Sequence, residues 1–190
     1  MNPLKKLFQK YSERFGEQLC ELPEFRQECA WRAEVSILKT LLASLKREDQ
    51  FDFLVDISSV DHLGEEYRFE IVYELCRLAD AMHLRIKIKI HEKDAVPSVC
   101  ELWRTANWHE REIYDMMGIV FSEHPDLRRI LMWEGYPYYP LRKDFPLEGL
   151  PSEMPDVAFS HVTPMEGGPF VTSAAAITTE REPRARPPVL

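Results

Sequence analysis

The sequence predicts an α+β chain: a two-layer domain with a mixed, mostly antiparallel sheet of about five strands in the order α-β-β-α-β-β-β. Three observations carry that prediction. The run HLRIKIKIH alternates Leu84, Ile86, Ile88 and Ile90 against Arg85, Lys87 and Lys89, the period of a half-buried strand. Ile37, Leu38, Leu41, Leu42 and Leu45 recur instead at helical spacing. The strand-like runs between residues 51 and 90 are separated by turns too short for a crossover, so they pair antiparallel.

Taken in order, Leu4, Leu7, Phe8, Tyr11 and Phe15 form the stripe of a first helix, and Gly16 is placed to end it. Short strands follow near residues 18–22 and 28–35. A second helix begins at Ser36 and closes at the polar run KREDQ. In FDFLVDISSV, Phe51, Phe53, Val55 and Ile57 alternate with Asp52, Leu54 and Asp56, which predicts a strand buried on the odd positions. RFEIVYEL repeats the pattern after the turn HLGEE. Pro97 opens a predicted helix through VCELWRTAN, and another runs from Trp108 to Met117, with Gly118 as its stop. Pro125 suits the first turn of a short helix in HPDLRRIL. The stretch WEGYPYYPLRKDFPLEGLP is irregular, and six further prolines follow Pro151 with no apolar period. The chain thus divides into an α+β domain at 1–120, a Pro- and aromatic-rich segment at 121–150, and an extended tail at 151–190 that orders only on a partner.

Composition narrows the function. With 190 residues, 45% apolar and 29% charged, the chain is an ordinary globular protein, and its net charge of -8 is wrong for neutralising nucleic-acid phosphates. No run approaches the ~20 apolar residues that span a bilayer. Charges recur every few residues in MNPLKKLFQKYSERF, which denies it the core of a signal peptide. The expected location is therefore the cytoplasm, with a membrane reached only through a partner. Cys20, Cys29, Cys76 and Cys100 form no CxxC pair, so reduced, buried thiols are expected, and no metal or iron–sulfur site from this chain alone.

Motifs for chemistry are weak. His109 is followed at i+4 by Ile113, so the zincin pattern fails; a looser site from His109, Asp115 and His124 stands as the metal-hydrolase alternative. The seven glycines make no phosphate-binding loop, and Ser58–Ser59 near Asp61 and His62 lack a nucleophile elbow. The helix around WHEREIYDMMG reads as amphipathic: Ile113, Met116 and Met117 bury, Trp108 anchors the start, Glu110 and Glu112 favour the first turn, and Arg111 pairs with Asp115. Beyond it Arg128, Arg129, Arg142, Lys143 and Asp144 alternate with Trp133, Tyr136, Tyr138, Tyr139 and Phe145, the mixture found in interface cores.

EREIYDMMGIVFSEHPDLRRIL, followed by PLRKDFPLEG, resembles the signature of the thirty-kilodalton subunit family of respiratory complex I, the C-type subunits of NADH-quinone oxidoreductase. The likeness extends more loosely over residues 30 to 150. It implies a non-catalytic member of the peripheral arm of a proton-translocating enzyme, on the cytoplasmic side of the cell membrane, with no redox centre of its own. Iron–sulfur clusters, FMN, NADH and quinone would belong to neighbouring subunits, and the partners would be those holding the terminal cluster and the quinone pocket. The residues it carries over are Glu110, Arg111, Glu112, Asp115, Gly118, His124, Pro125, Asp126, Arg128 and Arg129, then Leu141, Arg142, Lys143, Asp144, Phe145 and Pro146, for folding and docking. One departure stands out: Tyr138-Tyr139-Pro140 replaces the usual Gly-His-Pro. The same domain in a membrane-bound hydrogenase, or in a dehydrogenase with another donor, is the related alternative. On this reading Arg128→Glu and Arg142→Glu impair assembly more than they destabilise the isolated chain.

Overall fold

Alternation along one strand, β5 (Met82–Ile90), sets the frame: Leu84, Ile86, Ile88 and Ile90 are buried, and the basic residues between them face outward. In the computed structural model, which describes residues 3–150 except residue 27 and the short strands β8 (Val157–Ala158) and β9 (His161–Val162), β5 lies at the centre of a five-stranded sheet. The expectation that the tail at 151–190 orders on a partner lies outside the described residues, those two strands apart.

The other strands are β1 (Leu19–Glu21), β2 (Ala30–Ala33), β3 (Phe53–Asp61) and β4 (Phe69–Arg77), in the spatial order β1-β2-β5-β4-β3. All neighbours are antiparallel except β2 and β5, which run parallel with Trp31 opposite Ile86. The predicted fold class is therefore the observed one. Facing β5, Phe69, Ile71, Tyr73 and Leu75 of β4 continue the buried surface. The outer face carries ion pairs instead: Lys87 to Glu70 and Arg85 to Glu74, both at 2.8 Å.

Helices α1 (Pro3–Phe15) and α2 (Val35–Asp49) close the core, with Leu38, Leu41, Leu42 and Leu45 of α2 inaccessible to solvent. Tyr11 fixes α1 to α2 by donating to Asp49 at 2.5 Å, and Phe8 meets Trp31 edge-on.

Four expectations fail locally. In β3 the buried residues are Leu54, Ile57 and Asp61, while Phe53 and Val55 are exposed. The register shifts between Leu54 and Asp56, and one extra residue in a bulge inverts the parity of every side chain beyond it. No helix begins at Pro97: Ala95–Pro97 is a strand, β6, pairing in parallel with β7 (Val120–Ser122), and turns connect it to α3 (Ala106–Met117). HPDLRRIL is a loop rather than a helix, its later amides drawn to the Asp115 carboxylate. Cys20 is exposed, since its three-residue strand covers only one face.

Candidate docking site

Every helix ends with four carbonyls that lack an intrahelical donor. In α3 these belong to Tyr114, Asp115, Met116 and Met117, and each receives a hydrogen bond from beyond the helix. Gly118 N–H donates to Tyr114 (2.9 Å), Arg129 to Asp115 (2.9 Å), Leu141 N–H to Met116 (3.1 Å) and Arg142 to Met117 (2.6 Å). Two of those donors are guanidinium groups, which also suit the negative end of the helix dipole. Residues 128–142 are thus tied across the C-terminus of α3.

Asp115 holds the second knot. Its buried carboxylate takes the amides of Ile130, Leu131 and Met132 on one oxygen, at 3.0, 2.7 and 2.9 Å, and Arg129 on the other at 2.6 Å. Three successive amides converging on one oxygen leave none of them for a helix ladder, so the predicted helix at HPDLRRIL does not form. The predicted pairing of Arg111 with Asp115 is also absent. Arg111 instead donates to the carbonyls of Arg128 (3.1 Å) and Arg129 (3.4 Å) and lies over the Trp108 ring. That residue is 62% exposed, so Trp108 does not anchor the helix in the core.

A third knot joins this segment to the sheet. Arg68 grips Asp61 through two bonds at 3.1 and 3.2 Å and reaches Glu92 (3.0 Å) and Asp144 (2.8 Å). Asp61 also accepts the Lys143 amide at 2.9 Å. Burial works to raise the Asp61 carboxyl, but the guanidinium and that amide outweigh it and hold the group below the usual carboxylate range. Arg142 reaches the same Glu92 at 2.9 Å and stacks on Tyr139. Nothing local announces this hub: Arg68 and its partners lie 7, 24 and 76 positions apart, so sequence reasoning missed it.

Gly118 belongs to the same assembly. Its φ is +74°, and a Cβ there would sit 2.6 Å from an Arg142 nitrogen and 2.7 Å from two Tyr139 ring carbons. Tyr139, one of the two residues that depart from the resembled pattern, thus fills the space that glycine leaves. Gly118→Val is expected to cost about 2–3 kcal/mol through left-handed strain and displaced neighbours. Urea unfolding of the purified chain measures it, and a loss below ~0.5 kcal/mol would show that the ring is not held there.

At the other end of α3, Glu110 is fully buried, one turn inside the helix rather than in its exposed first turn. It accepts the Val99 amide at 2.8 Å and the Cys100 thiol at 3.4 Å, with His124 Nε2 at 3.9 Å. Cys100, Glu110 and His124 bring their ligating atoms within 4.8 Å of one another, a grouping that could hold a metal. The hydrogen bonds argue otherwise. His124 Nδ1 accepts the Asp126 amide at 3.0 Å, so the ring proton sits on Nε2, directed to the Asn107 carbonyl at 3.3 Å, and no lone pair remains for a cation. Burial also pushes the Cys100 thiol up to about 11, away from the thiolate a metal needs. The looser set fares no better: His109 pairs with Asp56 at 3.1 Å, and Asp115 is spent on residues 129–132.

Burial raises the Glu110 carboxyl above its ordinary value, against the hydrogen bonds that favour its charge. The folded chain therefore holds this proton more tightly than the unfolded one. Its stabilising effect is complete below the ordinary carboxylate range and declines as pH rises through the raised value. Urea titrations at pH 5 and 7.5 are expected to show wild-type stability falling relative to Glu110→Gln; parallel curves would refute this.

The remaining signature residues lie outward. Glu112, Pro125, Asp126, Arg128, Leu141, Lys143 and Asp144 are exposed or nearly so, while Phe145 and Pro146 are half-buried, Phe145 facing the Tyr138 ring at 6.1 Å. Arg128 pairs with Asp126 at 2.9 Å, its side chain 70% exposed. Trp108 of α3 and Leu131 of the tied-down segment are exposed as well, at 62% and 61%.

The fold and the site together define an α+β body whose last long helix is capped by the loop that follows it, with the signature residues divided between that cap and the surface. The sequence pattern of the family "Respiratory-chain NADH dehydrogenase, 30 Kd subunit" matches residues 32–151, and the chain belongs to that family. Its relatives include the C-type subunit of NADH-quinone oxidoreductase from Geotalea uraniireducens, 42% identical over 141 residues, which cover 74% of this chain and 86% of the relative. The second C-type subunit of the same enzyme from Rhizobium meliloti is 50% identical over 125 residues, 60% of this chain and 69% of that one. Among solved structures, a trypsin-resistant fragment of Nqo5 is 30% identical with a TM-score of 0.59, over 65% of this chain and 98% of the fragment. A component of an archaeal membrane-bound sulfane sulfur reductase has a TM-score of 0.65 over 75% of this chain and 85% of its own; at 22% identity the likeness is one of fold. No helix among the described residues is long and apolar enough to cross a membrane.

Proposed function

We propose that this chain is the C-type subunit of a proton-translocating NADH:quinone oxidoreductase, docked against the subunits that hold the terminal iron–sulfur cluster and the quinone pocket. It contributes no active site and holds no cofactor. FMN and the clusters lie in its neighbours, and it reaches the cytoplasmic face of the membrane only through them. The observation that carries this reading is the fate of the signature: Asp115, Gly118, Arg129 and Arg142 are spent on fixing residues 121–150 to the body, and their neighbours are left outward as a preformed surface.

The test is a tagged pull-down from detergent-solubilised native membranes, with mass spectrometry and an NADH:quinone assay on the eluate. Iron–sulfur and quinone-pocket subunits with NADH activity would support the reading. A complex using another electron donor would keep the docking role and change the enzyme. A chain recovered alone would overturn the reading.

Within the docking segment the two arginines now part company. Arg128→Glu is expected to lower incorporation into the complex while leaving the isolated chain within ~0.5 kcal/mol of wild type, because its side chain is exposed. Arg142, bonded to Met117 and Glu92, is expected to destabilise the isolated chain when replaced by Glu. Equal stability losses in the two variants would count against the division.

A further inference from the structure

Strand β3 is the last in its sheet, and among the described residues no strand pairs with its outer edge. Inside the hairpin, the His62 amide donates to the Arg68 carbonyl, which fixes the alternation of the ladder. Counting back, Ser58 and Val60 turn their backbone groups toward β4, and Ile57, Ser59 and Asp61 turn theirs to the open side. A groove of about 440 Å³ runs along this edge. It touches every residue from Asp56 to Asp61. Successive residues of a strand point to opposite faces, so a cavity touching six in a row follows the backbone edge itself. The opposite wall is largely apolar, with Ile113, Met116 and Met117 of α3 beside Leu141. Glu112 stands on the same wall, exposed, with no ion pair or hydrogen bond among the described residues, while nearby Asp56 is already paired with His109.

We infer that this groove receives an extended segment of a partner subunit, which pairs with the open edge of β3 as a sixth strand and sets a basic side chain against Glu112. Three features select such an occupant: the unpaired amides and carbonyls recognise backbone, the α3 wall takes small apolar side chains, and the free carboxylate asks for a cation. The anchoring of residues 141–143 to Met116 and Asp61 keeps the groove formed before the partner arrives. The inference rests on the chain working within a multisubunit assembly.

The experiment is residue-resolved hydrogen exchange on the isolated full chain and on the complex purified from membranes. The Ile57, Ser59 and Asp61 amides are expected to exchange freely in the isolated chain and to slow by about tenfold or more on assembly. Those of Ser58 and Val60 should be protected in both. Equal exposure of the odd amides in both states overturns the proposal. Protection already present in the isolated chain overturns the partner as occupant and assigns the edge to the chain's own C-terminal residues or to a second copy. Failure of the chain to enter any complex overturns the functional reading, and the partner segment with it. As a second arm, Ser59→Pro removes an open-side amide without touching the bonds to β4, whereas Ser59→Ala keeps it. Incorporation should fall at least about fivefold for the proline variant and stay unchanged for alanine. Normal assembly of a folded Ser59→Pro chain overturns the proposal, and if circular dichroism shows that variant unfolded, the exchange data decide alone.

Discussion

Asp115→Ala should lower the stability of the isolated chain by about 3–5 kcal/mol, because it orphans several groups at once. The carboxylate is fully buried, and it is the shared acceptor for the amides of Ile130, Leu131 and Met132 and for Arg129. Those amides turn to it rather than to any backbone carbonyl, and Arg129, only 11% exposed, would lie beside α3 without its counter-charge. In a domain this size such a loss lowers the melting temperature by about 10 °C. Its location can be read separately. Trypsin should cut the variant at Arg128, Arg129 or Arg142 well before it cuts wild type, since the loop loses its tie while the sheet does not. Asp115→Asn keeps an acceptor but loses the charge, and should fall between the two. A variant that melts within ~1 kcal/mol of wild type and resists trypsin would mean that the loop is held by other contacts.

Arg68→Met should be comparably severe, at about 3–5 kcal/mol near neutral pH, because it leaves Asp61 charged, buried and without its cation. The pH dependence distinguishes this cause from a simple packing loss. In wild type Asp61 is held below the usual range, so its contribution is present above about pH 4 and fades as pH falls through the depressed value. In the variant burial is opposed only by Lys143, the carboxyl takes up a proton more readily, and the penalty should shrink on acidification toward pH 4. Arg68→Met combined with Asp61→Asn should recover part of the loss. A penalty that is constant with pH, or a double variant no better than the single one, would sink the electrostatic account.

How far the sequence foretold this molecule depended on how local the deciding interactions were. The alternation in β5 and the stripe of α2 needed nothing beyond their own residues, and both elements stand where expected. Phe53 and Val55 were misplaced because a bulge depends on what β4 offers opposite, and neither residue type reports it. Pro97 looked like a helix start, yet it closes a strand whose partner, β7, lies 25 positions later. The signature could be recognised as a pattern, but its work could not: Asp115 pairs 14 positions away with Arg129 rather than one turn back with Arg111. Glu110 likewise read as a surface carboxylate at a helix start, while the fold seats it against Val99 and Cys100.

The parallel pair inside the main sheet bears on how the chain is made. Trp31 meets Ile86 across about 55 positions, whereas β3, β4 and β5 are joined by short turns. Closing so long a loop costs entropy before any contact repays it, so the three-strand meander is expected to gather first and the N-terminal strands to latch on afterwards. During synthesis this inverts the order of emergence. The first thirty-three residues leave the ribosome early but have no sheet to join until Met82–Ile90 has followed them. At equilibrium the late latch is also the early exit: α1, β1 and β2 can peel away together while the meander, with α3 and its cap, stays closed.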